Sequence, residues 1–429
     1  MSETDETPRE SGFLKQIKRL FLHLGPGLIT GAADDDPSGI ATYSQAGAQF
    51  GVNMLWSVVI TYPLMTAIQT ICARIGRVTG KGLGANMAAI MPRWLVTILV
   101  MLLFVANVVN IGADLAAMGA AARLVVGGNE VFYAIAFAIL SLIAQVWIPY
   151  DSYVHVLKWL TMALFAYVGV LFTVHIDWLA VAEGTVWPKL VWNRDAFTVI
   201  VAVFGTTISP YLFFWQTAEE VEDTDLKAND GPLLAFPDEA PAELDRIATD
   251  NYVGMGYSNL IAFFIVLTTA VTLNKAGITD IQTSAQAAEA LRPIAGEFAF
   301  LLFSLGILGT GLLALPVLTG SSAYAIGDVL GWKIGLEQTL SNAKAFYAVI
   351  GLGYGLGLLM LVLPIDPIKA LFWSAVLNGV IAVPLMVAIM LVVSNRAHLG
   401  KFVAPPVLAA FGWLATAVMA AAAISMLVL

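Results

Sequence analysis

Eleven mainly apolar runs, each of about twenty residues or more, divide this chain, and each is long enough to cross a bilayer's hydrocarbon core as a helix. They are Phe21–Phe50, Met54–Cys72, Trp94–Ala113, Val131–Ile148, Val154–Val174, Ala196–Ala218, Tyr252–Asn274, Phe298–Ile326, Ala345–Ile365, Ala370–Val393 and Phe402–Leu429, numbered segments 1 to 11. The runs lack strand alternation and are too long for barrel strands. Helices are then the backbone that satisfies its own hydrogen bonds in lipid. Only 12% of the 429 residues are charged, against about 25% in a typical soluble domain, so a water-facing surface would have almost nothing to solvate it. The sequence reads as an all-α polytopic membrane protein whose environment is the lipid bilayer.

Several function classes fall away on composition. A formal charge of −9 argues against nucleic acid, which demands a basic surface. The single cysteine, Cys72, rules out an internal disulfide and cysteine-based metal clusters. Residues 1–20 are polar and lack a cleavable leader's apolar core, so they read as a tail, with no leader removed. His23, His155, His175 and His398 lie at segment ends or in loops, where no pair has haem or zinc spacing. No P-loop or nucleophile elbow occurs, so neither ATP-driven pumping nor hydrolysis is expected. The chain reads as a non-enzyme with no cofactor and no obligatory protein partner.

Basic residues give an orientation. With the N-terminus inside, 15 of the 21 Lys and Arg fall on the inner side, which favours a cytoplasmic N-terminus and, with eleven crossings, an outer C-terminus in a cell membrane. The one long polar stretch, residues 219–250, is acidic and expected on the cytoplasmic side. It reads either as a solvated, partly disordered loop or as an acidic mouth that concentrates cations.

Segment 1 carries Asp34, Asp35 and Asp36 in mid-membrane, and one aspartate at a helix centre costs ~2.5–3.5 kcal/mol on insertion scales. Successive helical positions turn by about 100°, so only one or two of the three can serve one point. Pro37 strips the Ala33 carbonyl of its helical donor and pushes Asp36 out of the α region. The expected result is a helix unwound over Asp36–Gly39, offering a carboxylate and free carbonyls as hard oxygen ligands. Segment 6 is interrupted in the same way: Pro210 frees the carbonyl of Thr206 and displaces Ser209. A single such proline often marks only a kink. Breaks in the first and sixth segments together are what two inverted five-helix repeats would show, with the substrate held between them.

At these breaks the sequence resembles the NRAMP family of divalent-metal transporters, which have the LeuT-type fold. The family's Asp-Pro-Gly-Asn followed by Ile-Ala-Thr corresponds to Asp36-Pro37-Ser38-Gly39-Ile40-Ala41-Thr42. Its Gly-Ala-Thr-Val-Met-Pro-His corresponds to Gly205-Thr206-Thr207-Ile208-Ser209-Pro210-Tyr211, and its Asp-Leu-Ala-Glu to Asp114-Leu115-Ala116-Ala117. The resemblance implies one transporter domain over residues 21–429, with a first repeat at 21–175, a second at 196–393 and an extra helix at 402–429. It also implies a cation held by Asp36 and the Thr206 carbonyl. The family's Asn is Gly39 here, and its Met is Ser209, so an amide oxygen and a soft sulfur ligand are missing. A thioether favours softer transition metals, whereas carboxylate, carbonyls and hydroxyl suit Mg²⁺, which keeps several waters. The pattern is similar to the NRAMP-related magnesium transporters.

The family's proton-carrying His and Glu are Tyr211 and Ala117 in this chain, and a phenol that ionises near pH 10 is a poor relay at pH 7. Asp114 reads either as a satisfied buried acid or as part of the permeation path. Asn378 in segment 10 reads as helix-packing glue or as a side chain reaching the site, as a family Gln does. Asp35 and Asp34 would line the inner exit, and Trp215 and Gln216 read as packing or interface residues. The expected activity is uptake of hydrated divalent cations, Mg²⁺ or Mn²⁺, without proton coupling. A proton-coupled Mn²⁺/Fe²⁺ symporter and a LeuT-fold carrier of an amino acid or other organic cation are the rivals.

Overall fold

A computed structural model describes residues 30–31, 33–148, 162–189, 192–226, 231–363 and 365–429. The tail at 1–20, the start of segment 1 and the first part of segment 5 lie outside them. Among the described residues, nine helical runs are long and apolar enough to cross a membrane. The difference from eleven has two sources. Segments 1 and 2 are joined by a single tight turn, Gly51–Met54, into one run from Pro37 to Thr79. Of segment 5, only its end is described, as Met162–Leu164 and Phe165–Val170.

Most segments run longer than their apolar cores. Segment 3 is the helix Arg93–Val126, segment 7 begins at Ala240 and segment 8 ends at Leu330. The polar extensions carry ion pairs such as Arg246–Glu220 and Arg77–Glu243. The stretch 219–250 is accordingly not a solvated loop throughout. Segment 6 stays helical to Leu226 and segment 7 is helical from Ala240. Glu220 and Asp250 are buried, and Arg246 pairs with Glu220 at 2.6 Å. Arg77, at the end of segment 2, is also buried and pairs with Glu243 at 3.2 Å. Acidic residues there gain fixed basic partners, which outweighs the disorder that composition alone suggests.

Backbone-to-backbone contacts set the helices around the two breaks. A side chain on Gly205 of segment 6 would meet the carbonyl oxygen of Ala375 of segment 10 at 2.1 Å, so glycine is required for that crossing. Gly31 is equally constrained, since its Cβ would lie 2.3 Å from the Gly254 oxygen of segment 7. Small residues at such crossings are how helices approach closely where lipid supplies no hydrophobic drive. Segments 1, 3, 6, 7 and 10 thereby enclose one polar centre. This is the LeuT-type architecture of two inverted five-helix repeats followed by an eleventh helix.

Candidate functional site

The break in segment 1 is narrower than the sequence suggests. Thr30, Gly31, Ala33 and Asp34 are helical, Asp35 and Asp36 are not, and the second half-helix Pro37–Phe50 begins at once. Ser38 and Gly39 therefore belong to a helical first turn rather than to an unwound stretch. The physical reason is that Pro37 occupies the first helical position, where its missing N–H and fixed φ cost nothing. Asp36 is extended (φ −71°, ψ 171°) and caps that helix, its Oδ1 accepting from the Gly39 N–H at 2.7 Å. Segment 6 repeats the device. The half-helix Arg194–Thr207 stops, Ile208 and Ser209 leave helical geometry, and Pro210 starts the next half-helix.

The chain spends four donors on the Asp36 carboxylate. Oδ1 accepts from Ser38 Oγ at 2.7 Å as well as from Gly39 N. Oδ2 accepts from Asn110 Nδ2 at 3.0 Å and from Tyr211 OH at 3.4 Å. Asp36 is only 1% exposed. Thr206 Oγ1 stands 3.3 Å from Ser38 Oγ, which ties the two breaks together, and Tyr43 OH meets Thr207 Oγ1 at 2.9 Å one turn further. Tyr211 thus lies against Asp36, while Thr206, expected to offer its carbonyl, turns its hydroxyl to Ser38 beside the carboxylate.

The two carbonyls freed by the prolines are not left bare. Ser209 Oγ shares its hydrogen between the Thr206 carbonyl at 2.6 Å and that of Gly205 at 2.9 Å, and Tyr211 OH shares its one hydrogen between Asp36 Oδ2 and the Ala33 carbonyl, each at 3.4 Å. Each carbonyl keeps a second lone pair. Gly39 brings no side chain. A Cβ there would sit 3.3 Å from Thr206 Oγ1 and 3.5 Å from Asp36 Oδ1, so its absence leaves space beside the carboxylate.

The remaining candidates divide. Asp34 and Asp35 do not reach Asp36's hydrogen-bond partners. Both accept from Ser258 Oγ of segment 7, at 2.7 and 3.1 Å, and Asp34 Oδ1 and Asp35 Oδ2 are buried without a partner. Asp114 joins the Asp36 cluster through Asn110 Nδ2, at 3.4 Å from its Oδ2. Among the described residues, no basic side chain pairs with any of these four buried acids. Asn378 is fully buried, and neither its amide oxygen nor its nitrogen has a partner, so it does not glue helices by hydrogen bonding. Trp215 and Gln216 are buried as expected, Trp215 edge-on to Tyr324 and Gln216 donating to Glu220 at 3.4 Å.

Sequence reasoning missed Asn110, Ser38 and Ser258. Asn110 was findable, because it lies one turn before Asp114 on the same helical face, and a polar pair four residues apart in an apolar helix marks a shared environment.

Comparison with known proteins agrees with this architecture. The family model "Natural resistance-associated macrophage protein-like" matches residues 27–429. The "Divalent metal cation transporter MntH" of Caldanaerobacter subterraneus subsp. tengcongensis is 24% identical over 408 residues, covering 91% of this chain and 89% of that protein. Its namesake from Acidiphilium cryptum is 26% identical over 402 residues, covering 89% and 84%. The Eremococcus coleocola manganese transporter, crystallised with an aromatic bis-isothiourea compound, superposes with a TM-score of 0.73 at 16% identity, over 99% of this chain and 88% of that one. Mhp1, a nucleobase-cation-symport-1 family transporter, superposes at 0.57 with 14% identity over 94% and 91%. With the family's pattern laid over the broken helices and their buried carboxylate, the chain belongs to the Nramp family, whose members are metal-ion transporters and not enzymes.

Proposed function

We propose that this chain carries hydrated divalent cations across the membrane, Mg²⁺ in preference to Mn²⁺, toward the side that holds its N-terminus, without coupling to protons. The carrying observation is the set of oxygen atoms gathered at Asp36: its own carboxylate, the hydroxyls of Ser38 and Tyr211 bonded to it, the Thr206 hydroxyl beside Ser38 and the unpartnered Oδ1 of Asn110, with no sulfur or imidazole bonded to the carboxylate. Ser209, where the family has a thioether, turns its hydroxyl to backbone carbonyls instead. Such oxygen-rich surroundings favour hard cations and their bound water over soft transition metals. The buried acids Asp34, Asp35, Asp36 and Asp114 call for compensating positive charge, which a divalent cargo supplies. The names of the relatives, a divalent metal cation transporter and a manganese transporter, support the same cargo class. The Lys and Arg distribution supports an inner N-terminus.

The test is flux in proteoliposomes holding a Mg²⁺ indicator and a pH dye. Wild-type protein is expected to admit Mg²⁺ down its gradient with no lumenal acidification, and Asp36→Ala is expected to admit none. Acidification in step with uptake would establish the proton-coupled rival. Selection of Cd²⁺ or Fe²⁺ over Mg²⁺ would overturn the hard-cation reading.

A further inference from the structure

Asn110 joins the two carboxyl groups that segments 1 and 3 bring together. Its Nδ2 donates to Asp36 Oδ2 at 3.0 Å and to Asp114 Oδ2 at 3.4 Å. Asn110 and Asp114 stand four residues apart on the helix Arg93–Val126, so their side chains share one face. Facing two acceptors, the amide has to present its NH₂ group, which leaves Oδ1 turned away. That oxygen and Asp114 Oδ1 are both buried without a protein partner, an unfavourable arrangement unless something else satisfies them.

We infer that Asn110 and Asp114 complete the cation site from segment 3. Asp36 and Asp114 flank the ion from two sides, and Asn110 gives its Oδ1 to the ion or to one of the ion's waters. This inference rests on reading Asp36 as the residue that carries the cation. The chemistry follows from counting donors. Without a cation, the Asn110 NH₂ and the Tyr211 OH satisfy Asp36 Oδ2. A hydrated divalent ion brings water donors to the same oxygen and makes the amide donor redundant. A half-turn of the amide then replaces its NH₂ by an oxygen, an exchange that needs no backbone movement. Both carboxylate oxygens lie within hydrogen-bond reach of one nitrogen, close enough for one hydrated ion in that place to contact both. Two carboxylates balance a divalent ion and leave a monovalent one undercompensated, so the same geometry selects on charge.

The inference is tested on the purified full chain by isothermal titration with Mg²⁺ and with Mn²⁺, alongside thermal unfolding. Asn110→Ala and Asp114→Asn are each expected to weaken binding of both ions by about tenfold or more, within the range for groups that support metal ligands. Asn110→Asp keeps an oxygen at the same reach and is expected to restore affinity to within a few-fold of wild type. A merely structural role would instead lower the unfolding temperature of all variants and leave affinity and the rescue unchanged. Wild-type affinity in Asn110→Ala and Asp114→Asn, with binding lost in Asp36→Ala, would overturn the role of segment 3 alone. Failure of the wild-type protein to bind either ion would overturn the reading of Asp36 beneath it. If Asn110→Ala does not fold, Asp114→Asn and Asn110→Asp decide.

Discussion

Arg246 places its Nη2 atom 2.6 Å from Oε2 of Glu220, a carboxylate that is completely buried. Arg246 also reaches Glu243 at 3.1 Å, and Glu243 pairs with Arg77 at 3.2 Å. Segments 2, 6 and 7 are thereby tied at one end. Removing Arg246 strands a buried charge, which costs ~3–5 kcal/mol in comparable sites. Arg246→Ala is expected to lower the unfolding temperature of the solubilised protein more than Glu220→Gln does. The double variant is expected to lose less than the sum of the two, because the partners share one interaction. Strictly additive losses would show that the pair is not coupled.

On the proposed reading, Ser209 occupies the position from which a soft ligand would change the cargo. Ser209→Met is expected to raise uptake of Mn²⁺ relative to Mg²⁺ by about tenfold, equivalent to ~1.4 kcal/mol of discrimination. Competition flux with both ions present reads the ratio directly. An unchanged ratio in a folded variant would mean that position 209 does not face the cation.

Gly31 and Gly254 meet backbone to backbone, with no flexible side chain to yield. Gly31→Ala places a methyl group 2.3 Å from the Gly254 oxygen, so the first half of segment 1 has to move off segment 7. Hydrogen exchange at residues 30–36 is expected to accelerate, because Asp34 and Asp35 lose the cover that keeps them at 0% and 2% exposure. Exchange at the wild-type rate would show that the contact is not what shields them.

His398 lies outside the membrane segments, its Nε2 2.7 Å from Asn86 Oδ1. Partial burial, with Lys81 nearby as the second cause, holds its pKa below the ordinary 6.5. The unfolded chain therefore binds the proton more readily than the folded one. Stability from this residue is full above about pH 6.5 and is lost as pH falls from there through the folded value. Thermal unfolding followed from pH 8 to 5 is expected to show a shallower acid decline in His398→Gln than in wild type. Identical slopes would remove His398 as a contributor.

The two breaks were legible because they are local. Pro37 and Pro210 cannot donate a backbone hydrogen bond wherever the rest of the chain goes, and Asp36 and Ser209 precede them. The extent of the first break was not legible. Whether Ser38 and Gly39 unwind or open a new helix depends on a cap, and Asp36 supplies one. The acidic stretch was misjudged for a similar reason. Glu220, Glu239 and Glu243 look like a solvated run until Arg77 arrives from segment 2 and the packing of segment 7 against segment 6 sets Arg246 on Glu220.

By itself, the sequence determined that the chain crosses a membrane as helices, where two of them break, and that carboxylates stand at one break. Each of these follows from apolar length, proline and charge within a single segment, because a helix in lipid satisfies its backbone internally. The tertiary structure decided which side chains meet Asp36. Asn110 and Tyr211 at Asp36, like Ser258 at Asp34 and Asp35, take their places from the rotation and crossing of helices far apart in the chain, fixed by contacts such as Gly205 against Ala375. No local pattern encodes that rotation: the spacing of Asn110 and Asp114 marks a shared face, and only the packed helices show that this face meets Asp36.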